Sequence, residues 1–204
     1  MFEITNEDNM KLMARYEDNY FDLAIVDPPY RDLNEPDQWL RANSGNMKNW
    51  SKTPNQKYYD ELFRVSKNQI IWGGNYFTKH LKPNNNWLIW YKMNDGVHFS
   101  MCEMAWSSIR KNIKLLHYFN SGKKKIHPTQ KPVKLYEWIL KGWAEPNQKI
   151  LDTHLGSGSI AIAIDNVNKV EKMNLTLTAC ELDADYYKAA MKRIEEQTKQ
   201  LTIF

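Results

Sequence analysis

Short runs of β-branched, aliphatic and aromatic residues alternate along this chain with segments whose apolar positions recur every three or four residues. Phe21-Asp22-Leu23-Ala24-Ile25-Val26 is followed by a helical pattern around Tyr58 to Val65 and then by Gln69-Ile70-Ile71-Trp72. Asn86 to Tyr91 and Glu103 to Trp106 are further strand candidates, and after Pro132 a helix is expected from Val133 to about Trp143. The second half repeats the rhythm: Lys149 to Asp152 as a strand, Ser159 to Asn166 as a helix, Leu175 to Cys180 as a strand and Asp183 to about Thr198 as a closing helix. Alternation of this kind predicts an α/β sheet. In the closing helix Tyr187, Ala190, Met191 and Ile194 share one face, which predicts packing against the sheet.

One interval breaks the pattern. Residues 31–57 are polar, contain Pro36, Gly45 and Pro54, and form a connection as long as loops become when they serve a function or stay disordered. A mobile lid or substrate-contacting loop is expected there. With 204 residues the chain has length for one buried core, so residues 1–204 are expected to form a single domain.

Charge and cysteine content narrow the picture only slightly. A net charge of +4 permits a polyanionic partner without requiring one. Cys102 and Cys180 lie far apart in apolar stretches, which argues against a disulfide framework or a zinc site and suits a reducing compartment. No basic segment followed by an apolar run opens the chain, so a cytoplasmic location is expected.

Candidate chemistry begins where the first strong strand ends, in Asp27-Pro28-Pro29-Tyr30. Two prolines remove two amide donors and stiffen the backbone at the carboxyl edge of the strand, where open α/β sheets bind ligands. An aromatic amine is a poor nucleophile because its lone pair is delocalised into the ring. The Asp27 carboxylate and the Pro28 carbonyl, which faces no competing amide from Pro29, are placed to accept the two amine hydrogens and draw that lone pair out of conjugation. Tyr30 supplies an aromatic face for a base taken out of its stack. The same residues would also serve merely to stop a strand, cap a turn and cover the core.

A second candidate is Asp152-Thr153-His154-Leu155-Gly156-Ser157-Gly158-Ser159, a glycine turn between a strand and a helix. It lacks the lysine of a nucleotide-triphosphate loop. Glu181, about 29 residues beyond Asp152 at the end of the next strand, is placed to accept hydrogen bonds from two ribose hydroxyls. An adenosine derivative without a triphosphate fits this pair, and S-adenosylmethionine is such a molecule. Asp183 and Tyr186 are read equally well as capping and packing residues. A third segment, His127-Pro128-Thr129-Gln130-Lys131-Pro132, precedes a helix, where Thr129, Lys131 and nearby amides would suit a ligand carboxylate. It also reads as a proline-braced helix entry, and no partner at metal spacing makes His127 a metal ligand.

Taken in order, Asp27 to Tyr30, His127 to Pro132, Asp152 to Gly158 and Glu181 resemble the amino-methyltransferases acting on DNA, in the permuted arrangement called the beta class. Trp72-Gly73-Gly74-Asn75-Tyr76-Phe77 and Cys102-Glu103-Met104-Ala105-Trp106 are also similar to segments of small phage-type members. The resemblance implies a Rossmann-like, mostly parallel seven-stranded sheet with helices on both faces. It further implies S-adenosylmethionine as donor, S-adenosylhomocysteine as product, and direct methyl transfer to a flipped base without a metal. The Asp-Pro-Pro-Tyr form implies adenine N6 as acceptor.

Carried over residue by residue, Asp27, Pro28, Pro29 and Tyr30 form the catalytic loop, and Asp27 also approaches the donor. Thr129 and Lys131 hold the methionine end, Asp152, Gly156 and Gly158 form the cofactor wall, Glu181 binds ribose, and His127 and Ser157 are counted among the cofactor-binding residues. Where the family commonly has Asp-Pro-Phe, this chain has Asp152-Thr153-His154, a departure that bears on cofactor packing.

The span from Trp106 to His127 is too short for a recognition domain of typical size. Residues 107–126 are therefore expected to be a minimal basic recognition segment, with Lys111, Lys114, His117, Lys123, Lys124 and Lys125 available to phosphates or simply forming a solvated face. A homodimer would add DNA contacts. Cytosine N4, RNA and protein amides are alternative acceptors, and a non-catalytic nucleic-acid-binding subunit is the alternative of another class.

Overall fold

The structure is a computed structural model that describes residues 1–30, 53–96, 100–120, 126–127 and 129–199. Residues 31–52 of the expected lid, and Lys123, Lys124 and Lys125, lie outside the described residues.

Strands β1 (Phe2–Asn6), β2 (Phe21–Val26), β3 (Ser66–Trp72), β4 (Trp87–Tyr91), β5 (Cys102–Ser107), β6 (Lys114–His117), β7 (Lys149–Asp152) and β8 (Thr176–Glu181) form one sheet in the order β1-β8-β7-β2-β3-β5-β4-β6. Among the described residues the helices are α1 (Asn9–Met13), α2 (Gln56–Val65), α3 (Val133–Trp143), α4 (Ser159–Glu171) and α5 (Ala184–Thr198). Among the described residues the sheet has eight strands where seven were implied. It is mostly parallel, as expected: β5 alone runs against its neighbours β3 and β4.

Two of the eight strands gave no sequence signal. β1 pairs with β8 at one end of the sheet and β6 with β4 at the other. Both are short edge strands, and β6 exposes Lys114, Leu115 and His117. Natural sheets blunt their edges in this way, so the apolar run that marks an interior strand is missing. The segment expected to be a basic recognition element therefore contains part of the sheet.

Alternate residues of β2 serve opposite faces. Leu23 and Ile25 pack under α3, α4 and α5 with Ile139, Leu140, Ile160 and Ile194. Ala24 and Val26 meet Leu12 and Met13 of α1 and Tyr59, Leu62 and Val65 of α2. A central strand buried on both sides explains the unbroken apolar run of its sequence. α1 has only five residues, and the side chain of Asp8 accepts from the amides of Met10 and Lys11 at its start. α5 is capped likewise by Asp183, which accepts from Asp185 and Tyr186.

The consequence for function lies at one edge. β8, β7, β2 and β3 are adjacent and parallel, so their carboxyl ends emerge side by side. Glu181, Asp152, Asp27 and Gly73 stand at those ends, in that order across the sheet. Because β5 is reversed, its amino end with Glu103 reaches the same edge, and Lys92 follows the end of β4 there, its amide donating to Met101.

Candidate active site

Asp27 leaves the end of β2 and meets Lys131, which arrives from the segment before α3. The Lys131 ammonium donates to Asp27 Oδ2 and, at 3.1 Å, to the Tyr30 hydroxyl, while Tyr30 donates to Asp27 Oδ1 at 2.6 Å. Glu103 Oε2 lies 3.0 Å from the same ammonium, and Glu103 Oε1 pairs with Lys92 at 2.7 Å. The Lys131 side chain is 3% exposed, so its charge depends on these oxygens rather than on water.

Burial pushes the Asp27 carboxyl above its ordinary pKa, against the pull of Lys131. Burial also acts to raise Glu103, but Lys131 and then Lys92 outweigh it and hold Glu103 down at about 2.

The Tyr30 ring lies over Gly73, which has φ +67°; a Cβ there would sit 2.2 Å from Tyr30 Cε1. Tyr76, in the 3-10 turn of Gly74–Tyr76, stacks on Tyr30 with centroids 5.2 Å apart and planes 14° from parallel. Tyr76 is 50% exposed. Its role was hidden in sequence because a tyrosine after a glycine pair carries no period. Glu103 had a signal: a lone acid inside an apolar strand must find a cation if it is buried.

The glycine turn is adjacent. Gly156 and Gly158 both have positive φ, and Gly156 donates to Glu181 Oε2 at 2.9 Å. Asp183 donates its amide to Glu181 Oε1 at 3.0 Å. Each carboxylate oxygen thus accepts one amide and keeps lone-pair capacity for a hydroxyl. Burial raises the Glu181 pKa against these amides, and burial raises Asp152 to about 8 against the His154 amide, which donates to Asp152 Oδ1. His127 is buried, pushed down to about 4 by burial and by Lys131, and lies 3.8 Å from a Cβ built on Gly156. Its ring meets Tyr186 edge-on at 4.5 Å, and Thr129 Oγ1 lies 3.1 Å from its Nδ1.

Three sequence candidates make contacts within the chain. Lys131 turns its ammonium to Asp27 and Glu103, and it is its backbone carbonyl that meets the glycine turn, accepting from Ser159 Oγ at 2.7 Å. Ser157 is buried against Ser159 Oγ, and its carbonyl accepts from Arg193 of α5 at 2.7 Å. Lys111 donates to the Gly142 carbonyl and lies over the Trp143 ring, and Arg110, Lys111, Lys114 and His117 are all solvent-exposed.

The Asp152-Thr153-His154 departure has a structural account. His154 Nε2 lies 3.1 Å from Asn9 Nδ2 and its Nδ1 lies 2.9 Å from Thr153 Oγ1, which in turn is 2.7 Å from the Tyr58 hydroxyl. The loop is thereby tied to α1 and α2. Burial holds His154 neutral down to about pH 3. An unfolded histidine takes its proton near 6.5, so protons favour unfolding as pH falls below that value. His154→Gln is expected to shrink the fall in melting temperature between pH 7 and pH 5; an unchanged fall, followed by circular dichroism, would count against a neutral buried His154.

Among the described residues no group of three or more His, Cys, Asp or Glu side chains is arranged to hold a metal ion, and no described helix is long and apolar enough to cross a membrane.

The family model N6_N4_Mtase, described as DNA methylase, matches residues 21–192, and this chain belongs to that family. The type II methyltransferase M2.MboI of Moraxella bovis is 28% identical over 213 aligned positions, covering 79% of this chain and 78% of that protein. Among solved structures, the M1.HpyAVI–SAM complex superposes with a TM-score of 0.62 at 18% identity, over 95% of this chain and 99% of that one. The cytosine-N4-specific PvuII DNA methyltransferase gives 0.58 at 12% identity, over 97% and 93%. These likenesses establish a Rossmann-like methyltransferase fold, and the family establishes a DNA amino-methyltransferase.

Proposed function

We propose that this protein transfers a methyl group from S-adenosylmethionine to the N6 amine of adenine in DNA. One observation carries the reading: Lys131 joins the acidic tip of β2 to the glycine turn after β7, its side chain on Asp27 and its carbonyl on Ser159. Acceptor and donor machinery therefore share one strand edge.

The site fits an adenosine-type donor by its donor set. Glu181 is fixed by two amides with its remaining lone pairs suited to ribose hydroxyls, and Gly156 and Gly158 let the backbone come close. Asp152, Gly156, Gly158 and Glu181 would hold the adenosine part, with His127 beside Gly156. The bound donor supplies a methyl group on a sulfonium, an electrophile that needs no metal. Because Lys131 is shared by two carboxylates already, the donor carboxylate is assigned to amides and Thr129 rather than to this ammonium.

Asp27 and the Pro28 carbonyl accept the two amine hydrogens and turn the nitrogen lone pair out of the ring plane. Tyr30 is fixed by its bond to Asp27, and the flipped base meets the Tyr30–Tyr76 stack, recovering stacking lost from the duplex. After transfer the nitrogen carries a surplus proton. Asp27, whose proton affinity burial raises, is the base in contact with it.

The Asp-Pro-Pro-Tyr form supports adenine over cytosine. Incubation of the protein with DNA and a methyl-labelled donor, followed by nucleoside mass spectrometry, is expected to yield N6-methyladenine. N4-methylcytosine as the labelled product would overturn the choice of base, and label in RNA or protein alone would overturn the choice of acceptor.

A further inference from the structure

The catalytic loop holds more charge than folding requires. Asp27 and Lys131 alone would make a neutral buried pair, yet Glu103 from β5 takes a second side of the same ammonium and Lys92 takes the far oxygen of Glu103. Lys131 is 3% exposed and already neutralised by Asp27, while Glu103 and Lys92 are each 22% exposed, so a second carboxylate drawn onto the same buried ammonium adds desolvation and calls for a role beyond cohesion. Alternating signs run Asp27, Lys131, Glu103, Lys92, and the array exists because the reversed strand β5 brings Glu103 to the edge where the parallel strands end.

We infer that Glu103 is a positioning residue for methyl transfer: by sharing Lys131 it lets the ammonium orient Asp27 without using up the capacity of that carboxylate to accept a hydrogen from the target amine. The inference rests on the proposed amine acceptor. An ammonium given wholly to Asp27 would withdraw charge from the oxygen that must bind the amine. Divided between two carboxylates, it holds Asp27 in place while leaving more charge on it. The backbone of Lys131 is held in turn, its carbonyl accepting from Ser159 Oγ at 2.7 Å and Arg193 donating to that hydroxyl at 3.0 Å, so the division of the ammonium between the two carboxylates is set by the side chains.

The groups facing Asp27 are Tyr30 from its own loop, Lys131, Glu103 from β5, Tyr136 from α3 and Asp152 from β7. Of these, Lys131 favours the Asp27 carboxylate and Glu103 opposes it. Neutralising each must therefore move Asp27 in opposite directions, which loss of packing would not do.

The test combines carbon-13 NMR of labelled aspartate carboxyls, with Asp27→Asn identifying the resonance, and the pH dependence of single-turnover transfer. Glu103→Gln is expected to move both the Asp27 titration and the acid limb of the rate profile about one unit lower. Its rate is expected to fall about tenfold or more as the ammonium closes on Asp27, with donor affinity and melting temperature little changed. Lys131→Met is expected to move both about one to three units higher. An unmoved Asp27 titration in Glu103→Gln, a shift in the same direction as in Lys131→Met, or a rate loss that only tracks the folded fraction overturns the inference. A wild-type protein that methylates no DNA amine overturns the proposed function instead, and the carboxyl titration still decides whether Glu103 acts on Asp27.

Discussion

Asp27→Ala is expected to lower single-turnover methyl transfer by about two to three orders of magnitude, the usual cost of removing one preorganised group that meets charge developing in the transition state. Donor affinity should hold, because Glu181 and the glycine turn belong to β7, β8 and their loops and make no bond to Asp27 among those described. The fold should also hold, since Lys131 keeps Glu103 at 3.0 Å and is not left as a lone buried charge. Asp27→Asn retains an acceptor oxygen without the charge and is expected to fall between Ala and wild type. Calorimetric titration of the donor beside rapid-quench transfer separates these quantities. Turnover by Asp27→Ala near the wild-type rate would remove Asp27 from the chemistry, whatever its place in the fold.

Gly73→Ala is expected to damage activity nearly as much from outside the catalytic tetrapeptide. The new methyl group would lie 2.2 Å from Tyr30 Cε1 and 2.4 Å from Cδ1, and the backbone there has φ +67°, where a side chain costs about 1–2 kcal/mol. Tyr30 must move, and with it the hydroxyl bonded to Asp27 Oδ1 and Lys131. A displacement of this order in a positioned group costs about a hundredfold in rate. A double-mutant cycle isolates the cause: in a Tyr30→Ala background, Gly73→Ala should cost only the backbone strain. Equal stability losses in both backgrounds would show that the ring is not what Gly73 accommodates.

Both predictions start from residues whose importance differs in how it can be read. Asp27 is legible in the chain because a buried strand ending in Asp-Pro-Pro-Tyr is unusual on local grounds. Gly73 is not, since the reason for its missing side chain is a tyrosine 43 positions earlier in the chain. Glu103 is marked only as a lone acid in an apolar strand and Tyr76 not at all, and neither mark names a partner. Their partners, Lys92 and Lys131 for one and Tyr30 for the other, are set by strand order rather than by spacing along the chain.

Secondary structure divides along similar lines. β2, α3 and β7 have the expected bounds because buried runs and helical periods are local records of burial. α4 runs to Glu171, past the expected end at Asn166, as Val167 continues the buried face. β1, β6 and α1 gave no such record: two are edge strands of four or five residues with only two apolar positions each, and five residues make too short a helix for a period.

The amino-acid sequence by itself therefore determined the class of fold, the order of its motifs and the acidic and glycine-bearing strand ends, because each depends on neighbours within one element. Tertiary structure alone decided that Lys131 serves Asp27, that Glu103 divides its charge, and that Tyr76 covers Tyr30. Those are pairings between elements, and only the packing of parallel strands beside one reversed strand brings their side chains within hydrogen-bonding and stacking distance.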